Sequence, residues 1–454
     1  MIKSVRTFLK LKGVQLGVFE YLLLLAPFAM LFSYQPLISF GMHANMHIEL
    51  AVAVIYLLVL ALVGLPRIWR SKSTLITNKS VLFVALFVLW CALSLLWTPN
   101  LTRGILTLGI VGLLYLVLLA VLATQNFKKL LPALVRLTVI SGLFISVVAW
   151  SQVLLAALSV PNQVTLLCAG CQATIFGFAR PDGFAIEPQF LGSLLIIPIV
   201  LLLQACFTRK TASYTKLALV FLITTMILTL SRGAIYALAI SGLLLTAVNF
   251  KQVKKLTFTA GLILVGIVIG LGVQGIAAQV NPKVADGFGI TIAKSVNQLT
   301  LGIVDLRPKQ TSITTSASGY IAESTDVRVN LSKLALETWT KSPSTAIFGV
   351  GLGGAGQSMH DFKHQTAAYE IVQNEYAEIL LELGLVGMAL FVAILISLVF
   401  KLRGQPQLQA ILVAFMVQWL FFSGYPNALH IYLFMIVSAS IYSKGVMHVN
   451  QKTN

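Results

Sequence analysis

The chain alternates long apolar runs with short polar breaks. Twelve apolar segments stand out, at roughly 18–34, 48–65, 80–97, 104–123, 132–157, 185–206, 217–230, 233–249, 257–275, 376–400, 408–423 and 429–443. Most approach the ~20 residues that a helix needs to cross a hydrocarbon core. The segments 217–230 and 233–249 are separated only by Ser231-Arg232, and they read either as a tight helical hairpin or as one broken helix. From about Ala277 to Ile371 the rhythm stops. This stretch holds a Ser/Thr-rich piece from Thr311 to Ser318 and then a glycine-rich run from Gly349 to Gly356. Between them the spacing predicts a helix over Asp326–Thr340, with Val327, Leu331, Leu334 and Ala335 on one face. The predicted fold is all-α and polytopic. Nine transmembrane helices occupy 1–275, an extracytoplasmic loop with short helices occupies 276–375, and helices 10–12 with a cytoplasmic tail occupy 376–454.

Composition supports a membrane class. Of the 454 residues, 58% are hydrophobic and 10% charged, against about 25% charged in soluble proteins. A soluble enzyme, a disordered chain and a collagen-like fibre are excluded. The net charge of +18 would suggest a nucleic-acid partner in a soluble protein, but its distribution argues otherwise. With the N-terminus inside, 21 of the 32 Lys and Arg residues fall on inside segments, and eight more lie in the long loop. The short outside loops keep only Arg103, Arg180 and Arg232. This positive-inside pattern predicts the cytoplasmic membrane, both termini in the cytoplasm, and basic residues meeting membrane lipid rather than nucleic acid. Lys3, Arg6, Lys10 and Lys12 look like a signal-peptide n-region. No small-residue cleavage site follows at Phe32-Ser33-Tyr34-Gln35, so the first segment is expected to be a retained helix. The cytoplasmic loops leave no room for a nucleotide-binding domain.

Span interiors read as almost free of ionisable residues. Glu20 and Glu49 sit at span starts, and Glu375, Glu378 and Glu382 at the outer end of the tenth. Proton-coupled carriers place such groups at mid-membrane, so a transporter is disfavoured. Polar residues gather instead at the outer edge: Arg180, Asp182, Glu187, Ser231, Arg232, Arg328, His360, Asp361, His364, Gln373 and Asn374. Arg232 either snorkels to headgroups or holds a phosphate, which its planar, permanently charged fork suits. Arg328 is either a solvated charge or a second anion ligand. Arg180-Pro181-Asp182-Gly183 reads as a turn entering the sixth span, which Glu187-Pro188 opens. Gly351-x-Gly353-x-x-Gly356 matches the dinucleotide fingerprint in letters only. It lacks a βαβ setting and is expected to form a tight loop. Cys168 and Cys171 are either a local disulfide or two free thiols, and Cys91 and Cys206 read as packing residues.

Leu228-Thr229-Leu230-Ser231-Arg232-Gly233-Ala234 resembles the Ser-Arg-Gly motif of the O-antigen ligase and O-antigen polymerase family. The later order is similar too. Arg328 precedes a helix with Trp339, and then come Pro343, Phe348-Gly349-Val350-Gly351-Leu352-Gly353, Gln373-Asn374-Glu375-Tyr376 and Leu383-Gly384-Leu385-Val386-Gly387. Arg180…Gly183…Glu187-Pro188…Gly192 looks like the family's segment before its sixth span. The resemblance covers roughly residues 180–390. It implies a membrane glycosyltransferase that takes a glycan from a polyprenyl-diphosphate carrier at the outer face of the cytoplasmic membrane and joins it to a glycan or lipid acceptor. It implies no metal and no cofactor. Arg232 and Arg328 match the arginines thought to bind and stabilise the diphosphate, while Arg180, Glu187, Ser231, Gln373 and Asn374 fall in the segments expected to contact substrate. One position departs. Where the ligase pattern has His-Asn, nine residues and Gly-x-x-Gly, this chain has Gln373-Asn374 before Gly384 and Gly387. Glutamine can orient a hydroxyl but cannot take its proton near neutral pH. His364 and His360 are the nearby candidate bases, with Asp361 and Glu370 behind them. The departure tilts the reading toward a polymerase or an unusual ligase. A lipid-linked glycan flippase and a non-catalytic assembly scaffold are the rival classes.

Overall fold

The computed structural model describes residues 16–33, 36–43, 46–76, 78–124, 127–158, 174–175, 178–185, 187–208, 211–280, 288–300, 304, 306, 316–364, 366–423 and 428–441. Cys168 and Cys171 lie outside the described residues. Among the described residues, twelve apolar helices coincide with the twelve apolar segments. In chain order these are α1 (Val18–Ala29), α2 (Val52–Arg70), α4 (Lys79–Ser94), α5 (Leu101–Leu122), α6 (Phe127–Ala157), α7 (Pro188–Thr208), α8 (Ser213–Leu228), α9 (Arg232–Val248), α10 (Val253–Val280), α15 (Glu375–Lys401), α16 (Pro406–Gln418) and α17 (Leu429–Ile441). The short α3 (Lys72–Ile76) precedes α4. Six of the twelve, α2, α5, α6, α7, α10 and α15, are long and apolar enough to cross a membrane. The chain is a multi-pass, predominantly helical membrane protein.

Two hairpins qualify the all-α expectation. Strand β1 (Pro36–His43) pairs antiparallel with β2 (Met46–Ala51), and β3 (Thr174–Ile175) with β4 (Phe178–Ala179). The second apolar segment therefore starts as a strand at 46, and its helix begins only at Val52. The alternation Met46-His47-Ile48-Glu49-Leu50 carried that signal, because a two-residue period suits a strand and not a helix.

α7 is the central helix and is mostly buried. It packs against α6, α8, α9 and α16. Helix α8 lies along α10, whereas α9 lies along α16. Segments 217–230 and 233–249 are thus two helices that diverge from the turn 229–231.

The long loop carries α11 (Phe288–Leu299), α12 (Ser316–Trp339), α13 (Pro343–Phe348) and α14 (Ala355–Lys363). The predicted helix starts ten residues early, inside the Ser/Thr-rich piece. Leu334 and Ala335 of α12 form a small core with Val350, Ala355, Met359, Val372, Ala377 and Leu381, capping the N-terminal end of α15. Leu331 is buried as expected, but Val327 is 50% exposed. One turn toward its N-terminus, α12 has left that core.

The glycine-rich run forms a strap across a kink in α15. Gly384 adopts φ +65°, ψ −167° inside the helix, which breaks the ladder there. The freed carbonyls are taken up from outside. Val350 N donates to Leu381 O at 2.9 Å, Gly351 N to Glu382 O at 2.9 Å and Trp90 Nε1 to Leu383 O at 2.9 Å. Gly349 has φ +77°, and a Cβ there would stand 2.2 Å from Glu382 O. A Cβ on Gly384 would stand 2.3 Å from Ile347 O. Both positions need glycine for backbone conformation and for closeness of approach. The strap does structural duty, with no nucleotide loop in its surroundings.

Candidate active site

The site is built around the turn between α8 and α9. Helix α8 ends with exposed carbonyl valences that need partners. Gln274 of α10 donates Nε2–H to Ile227 O at 3.4 Å and to Leu228 O at 3.3 Å. Arg180 donates Nε–H to Thr229 O at 2.8 Å and Nη2–H to Leu230 O at 3.4 Å. Thr229 Oγ1 donates to Met226 O at 2.7 Å and accepts from Ser231 N at 3.1 Å. Within this clamp the buried, non-glycine Leu230 is held at φ +48°, a conformation that costs on the order of 1 kcal/mol or more and persists only where surroundings impose it. The result is that Ser231 becomes the N-cap of α9 and Arg232 its first residue. Ser231 does not cap with its side chain; its hydroxyl is buried without a hydrogen-bond partner. A helix N-terminus with a buried arginine concentrates positive charge where an anion can be received.

Arg328 reaches the same place from the cap. Its Nη2 donates to Gln189 Oε1 at 3.1 Å, and Gln189 Nε2 donates to Glu187 Oε2 at 2.6 Å. Gln189 lies in the first turn of α7. One turn later, a Cβ on Gly192 would come 2.7 Å from Ala234 Cβ and 3.3 Å from Ser231 Cβ. The two arginine-bearing segments therefore meet α7 at successive turns, which are neighbours on a helix face. Asn374 joins from the far side of α9. Its Oδ1 caps α15 by accepting from Ala377 N at 3.1 Å, and its Nδ2 donates to Leu420 O at 3.4 Å. The adjoining Phe421 packs on Gly233, where a Cβ would meet it at 2.8 Å. Gln373, partly buried and at φ +61°, precedes this cap. Of the residues expected from sequence, Arg180 grips the turn that carries Ser231 and Arg232, Glu187 and Arg328 are joined through Gln189, and Asn374 touches Leu420, with Gln373 adjoining. Glu187 is exposed, and Arg180 grips backbone with its guanidinium.

A buried polar string runs behind the site, and sequence reasoning missed it. Gln418 Nε2 donates to Gln189 O at 3.4 Å, Ser193 Oγ donates to Gln418 Oε1 at 2.8 Å, and Ser193 Oγ is 2.7 Å from His430 Nε2. Ser193 has one proton to give. Giving it to Gln418 leaves His430 to donate Nε2–H to Ser193. The His430 Nδ1 is buried without a partner. His430 is 3% exposed at the start of α17. Its signal was present as a histidine inside an apolar run, which by default marks function or a specific partner.

Asp182 is also buried, at 6% exposure. Gln152 of α6 donates Nε2–H to Asp182 Oδ1 at 2.7 Å, while its Oε1 accepts from Gly183 N at 2.8 Å and Asp182 N at 3.2 Å. Burial pushes the carboxyl up to about 7, and the hydrogen bond from Gln152 offsets only part of this. These bonds fix the loop that delivers Arg180.

The cap histidines make other contacts. His360 Nδ1 lies 2.6 Å from Thr366 O, and its ring centroid is 5.3 Å from that of His364, in an edge-to-face arrangement. His364 is exposed, at φ +53° as the C-cap of α14. The neighbouring Lys363 pairs with Glu337. Glu337 lies nine residues beyond Arg328 on α12, about 14 Å along the helix axis. Glu375, Glu378 and Glu382, expected at the outer end of the tenth span, are all buried on one face of α15. Tyr432 donates to Glu375 at 2.6 Å, Ser423 donates to Glu378, and Arg103 pairs with Glu378 at 3.6 Å while donating to Tyr369 O at 3.2 Å. Glu382 accepts from Ala355 N at 3.3 Å. These contacts fasten the cap to the helix bundle.

Residues 217–392 match the O-antigen ligase family. The resemblance carried by the motifs is thereby shown for the segment that holds Ser231, Arg232, Arg328 and Gln373. No match was found among curated proteins.

Proposed function

We propose that this membrane protein, with its O-antigen ligase domain over 217–392, moves a glycan from a polyprenyl-diphosphate carrier to a glycan or lipid acceptor at the outer face of the cytoplasmic membrane. The observation that carries the reading is that Arg328 and the N-terminus of α9, which bears Arg232, abut successive turns at the start of α7. In such a transfer the acceptor oxygen forms a bond to the sugar's anomeric carbon. The bond from that carbon to the diphosphate oxygen breaks, the electron pair leaves with the diphosphate, and the acceptor hydroxyl's proton passes to water or to the released diphosphate. Positive charge grows on the sugar and negative charge on the leaving group. Arg232 and Arg328 are placed to bind that negative charge, and preplaced donors in a water-poor site are worth the most there. The string Gln418–Ser193–His430 sets the first turn of α7 and so the side of Gln189 that faces Arg328. Gln373 orients the acceptor hydroxyl. Diphosphate is a fair leaving group, so base catalysis contributes only about 10²-fold or somewhat more, and the reaction tolerates a weak base. His360 and His364, the acid–base candidates that the sequence offers in the cap, lack the buried support of the arginine end and contribute little. Gln373 in place of the ligase histidine favours polymerisation over ligation to a lipid core.

The test is a deletion strain whose envelope glycans are resolved by gel and mass spectrometry, complemented with the wild type or Arg232→Ala. Single repeat units accumulating on carrier or acceptor identify a polymerase. Long lipid-linked chains beside bare acceptor identify a ligase. Arg232→Ala is expected to reproduce the deletion while the protein reaches the membrane at normal level. Full complementation by Arg232→Ala would falsify the reading.

A further inference from the structure

Running from beneath the cap toward the far end of the bundle, α4, α5, α15 and α17 line a cavity of about 130 Å³. Its walls are almost entirely carbon, from residues such as Val111, Leu114, Leu118, Phe391 and Leu398. All four helices agree on its direction. Phe87, Val111, Ile379 and Tyr432 line the end nearer the cap, and Ser80, Leu118, Lys401 and Ala439 line the other. The apolar walls alone would need no charged group, yet Lys401 borders the cavity.

Lys401 is partly buried, and among the described residues its ammonium has neither a hydrogen bond nor an ion pair. It occupies the last turn of α15, whose carbonyl end favours a cation. That explains its place in the helix but not its place on the cavity. Across the mouth stands Ser80, the second residue of α4, whose amide is held by the Asn78 cap at 3.0 Å. The positive end of α4 therefore borders the same cavity as Lys401. The Ser80 hydroxyl lies 3.4 Å from that of Ser397, one turn before Lys401. Among the described residues the mouth thus presents a cation, a helix N-terminus and two hydroxyls, with no carboxylate, above a hydrocarbon-lined slot. An anion with an apolar chain satisfies both halves, and neither half is satisfied by water alone.

We propose that this cavity takes a short stretch of one acyl chain of an anionic glycerophospholipid from the leaflet at the Lys401 end, with the phosphate headgroup held by Lys401, Ser80 and Ser397. This inference does not depend on the transfer reaction. The slot ends at Tyr432, whose hydroxyl donates to Glu375 beside the Asn374 cap, so its occupant also braces the base of the candidate active site.

The test uses the full-length protein reconstituted in vesicles of equal phosphatidylglycerol and phosphatidylethanolamine, then released for native mass spectrometry. Wild type is expected to retain phosphatidylglycerol in excess. Lys401→Gln should lower that preference about fivefold, the contribution of one basic residue at an anionic lipid surface, and Lys401→Arg should keep it. Ala439→Leu, which fills the slot without touching the charge, should cut retention of both lipids. Equal retention of the two lipids by wild type would overturn the proposal, as would unchanged phosphatidylglycerol retention in Ala439→Leu. A retained polyprenyl lipid in place of a glycerophospholipid would also overturn it and give the slot to the carrier's tail.

Discussion

The arginine end and the histidine end of the cap are both polar, and both were candidates, but they are built differently. Arg232 is buried at the start of a helix, behind a turn clamped by Arg180, Gln274 and Thr229. Arg328 is held by Gln189, which a buried string of Gln418, Ser193 and His430 supports. His364 is exposed and ends a nine-residue helix, while Lys363 beside it pairs with Glu337 on the surface. Side chains that must hold a fixed position against a developing charge need a supporting shell. Only the arginine end has one. Polar residues at the same membrane edge are therefore not equal candidates, and support from behind separates them.

The comparison breaks first at Arg232. Arg232→Lys keeps the charge and loses the planar fork, so the turnover of purified protein should fall about 10²-fold with little change in melting temperature. A change under threefold would mean that the buried guanidinium contributes only packing. Next comes the supporting string. Ser193→Ala removes both bonds of its hydroxyl and leaves Gln418 and His430 without their shared partner. Turnover should fall about tenfold, and the loss should appear in kcat more than in KM, because the string positions a group rather than binding substrate. Equal kinetics would detach the string from the site.

A third prediction uses pH. Asp182 holds its proton up to about 7 in the folded protein, while in the unfolded chain it ionises near the usual carboxylate value. Between about pH 4 and 7 the unfolded state alone releases this proton, so wild-type stability should fall across that window and level off above it. Asp182→Asn can still accept from Gln152 and should remove this loss. Its melting temperature should rise relative to wild type from pH 4 to 7 and run parallel beyond. At the histidine end the sign is opposite, because the hydrogen bond from Lys363 holds the exposed Glu337 carboxyl below its usual range, and its small contribution fades as pH falls. The smallest effect is expected from His360→Ala with His364→Ala. Turnover should change by less than about threefold, and the pH–rate profile should keep its shape. A tenfold loss with a shifted profile would instead place the acid–base group in the cap and reverse the ranking of the two ends.

Much of this was legible along the chain. The twelve apolar segments return as twelve apolar helices because a run of about 20 apolar residues has few other ways to satisfy its backbone in a membrane. Ser231-Arg232, Arg328 and Asn374 could be picked out because polar residues beside apolar runs are costly and so carry information. The hairpin at β1 and β2 was passed over because its two-residue alternation merged with the helix that follows. His430 was passed over because a single imidazole hardly changes the hydropathy of its run.

What the sequence by itself determined is the membrane class, the helical segments and the residue types at the polar edge, since each depends on local pattern and solvent transfer. Only the tertiary structure decided which of those polar residues share a site. Arg232 and Arg328 are 96 positions apart, and their segments abut the same end of α7 because Gly192 lets α9 approach α7 one turn beyond the glutamine that holds Arg328. Likewise, the kink at Gly384 exposes the carbonyls that the strap amides take up, and so seats the cap over α15. Such contacts depend on the closeness of backbones far apart in the chain, which no local pattern of hydrophobic and polar residues records.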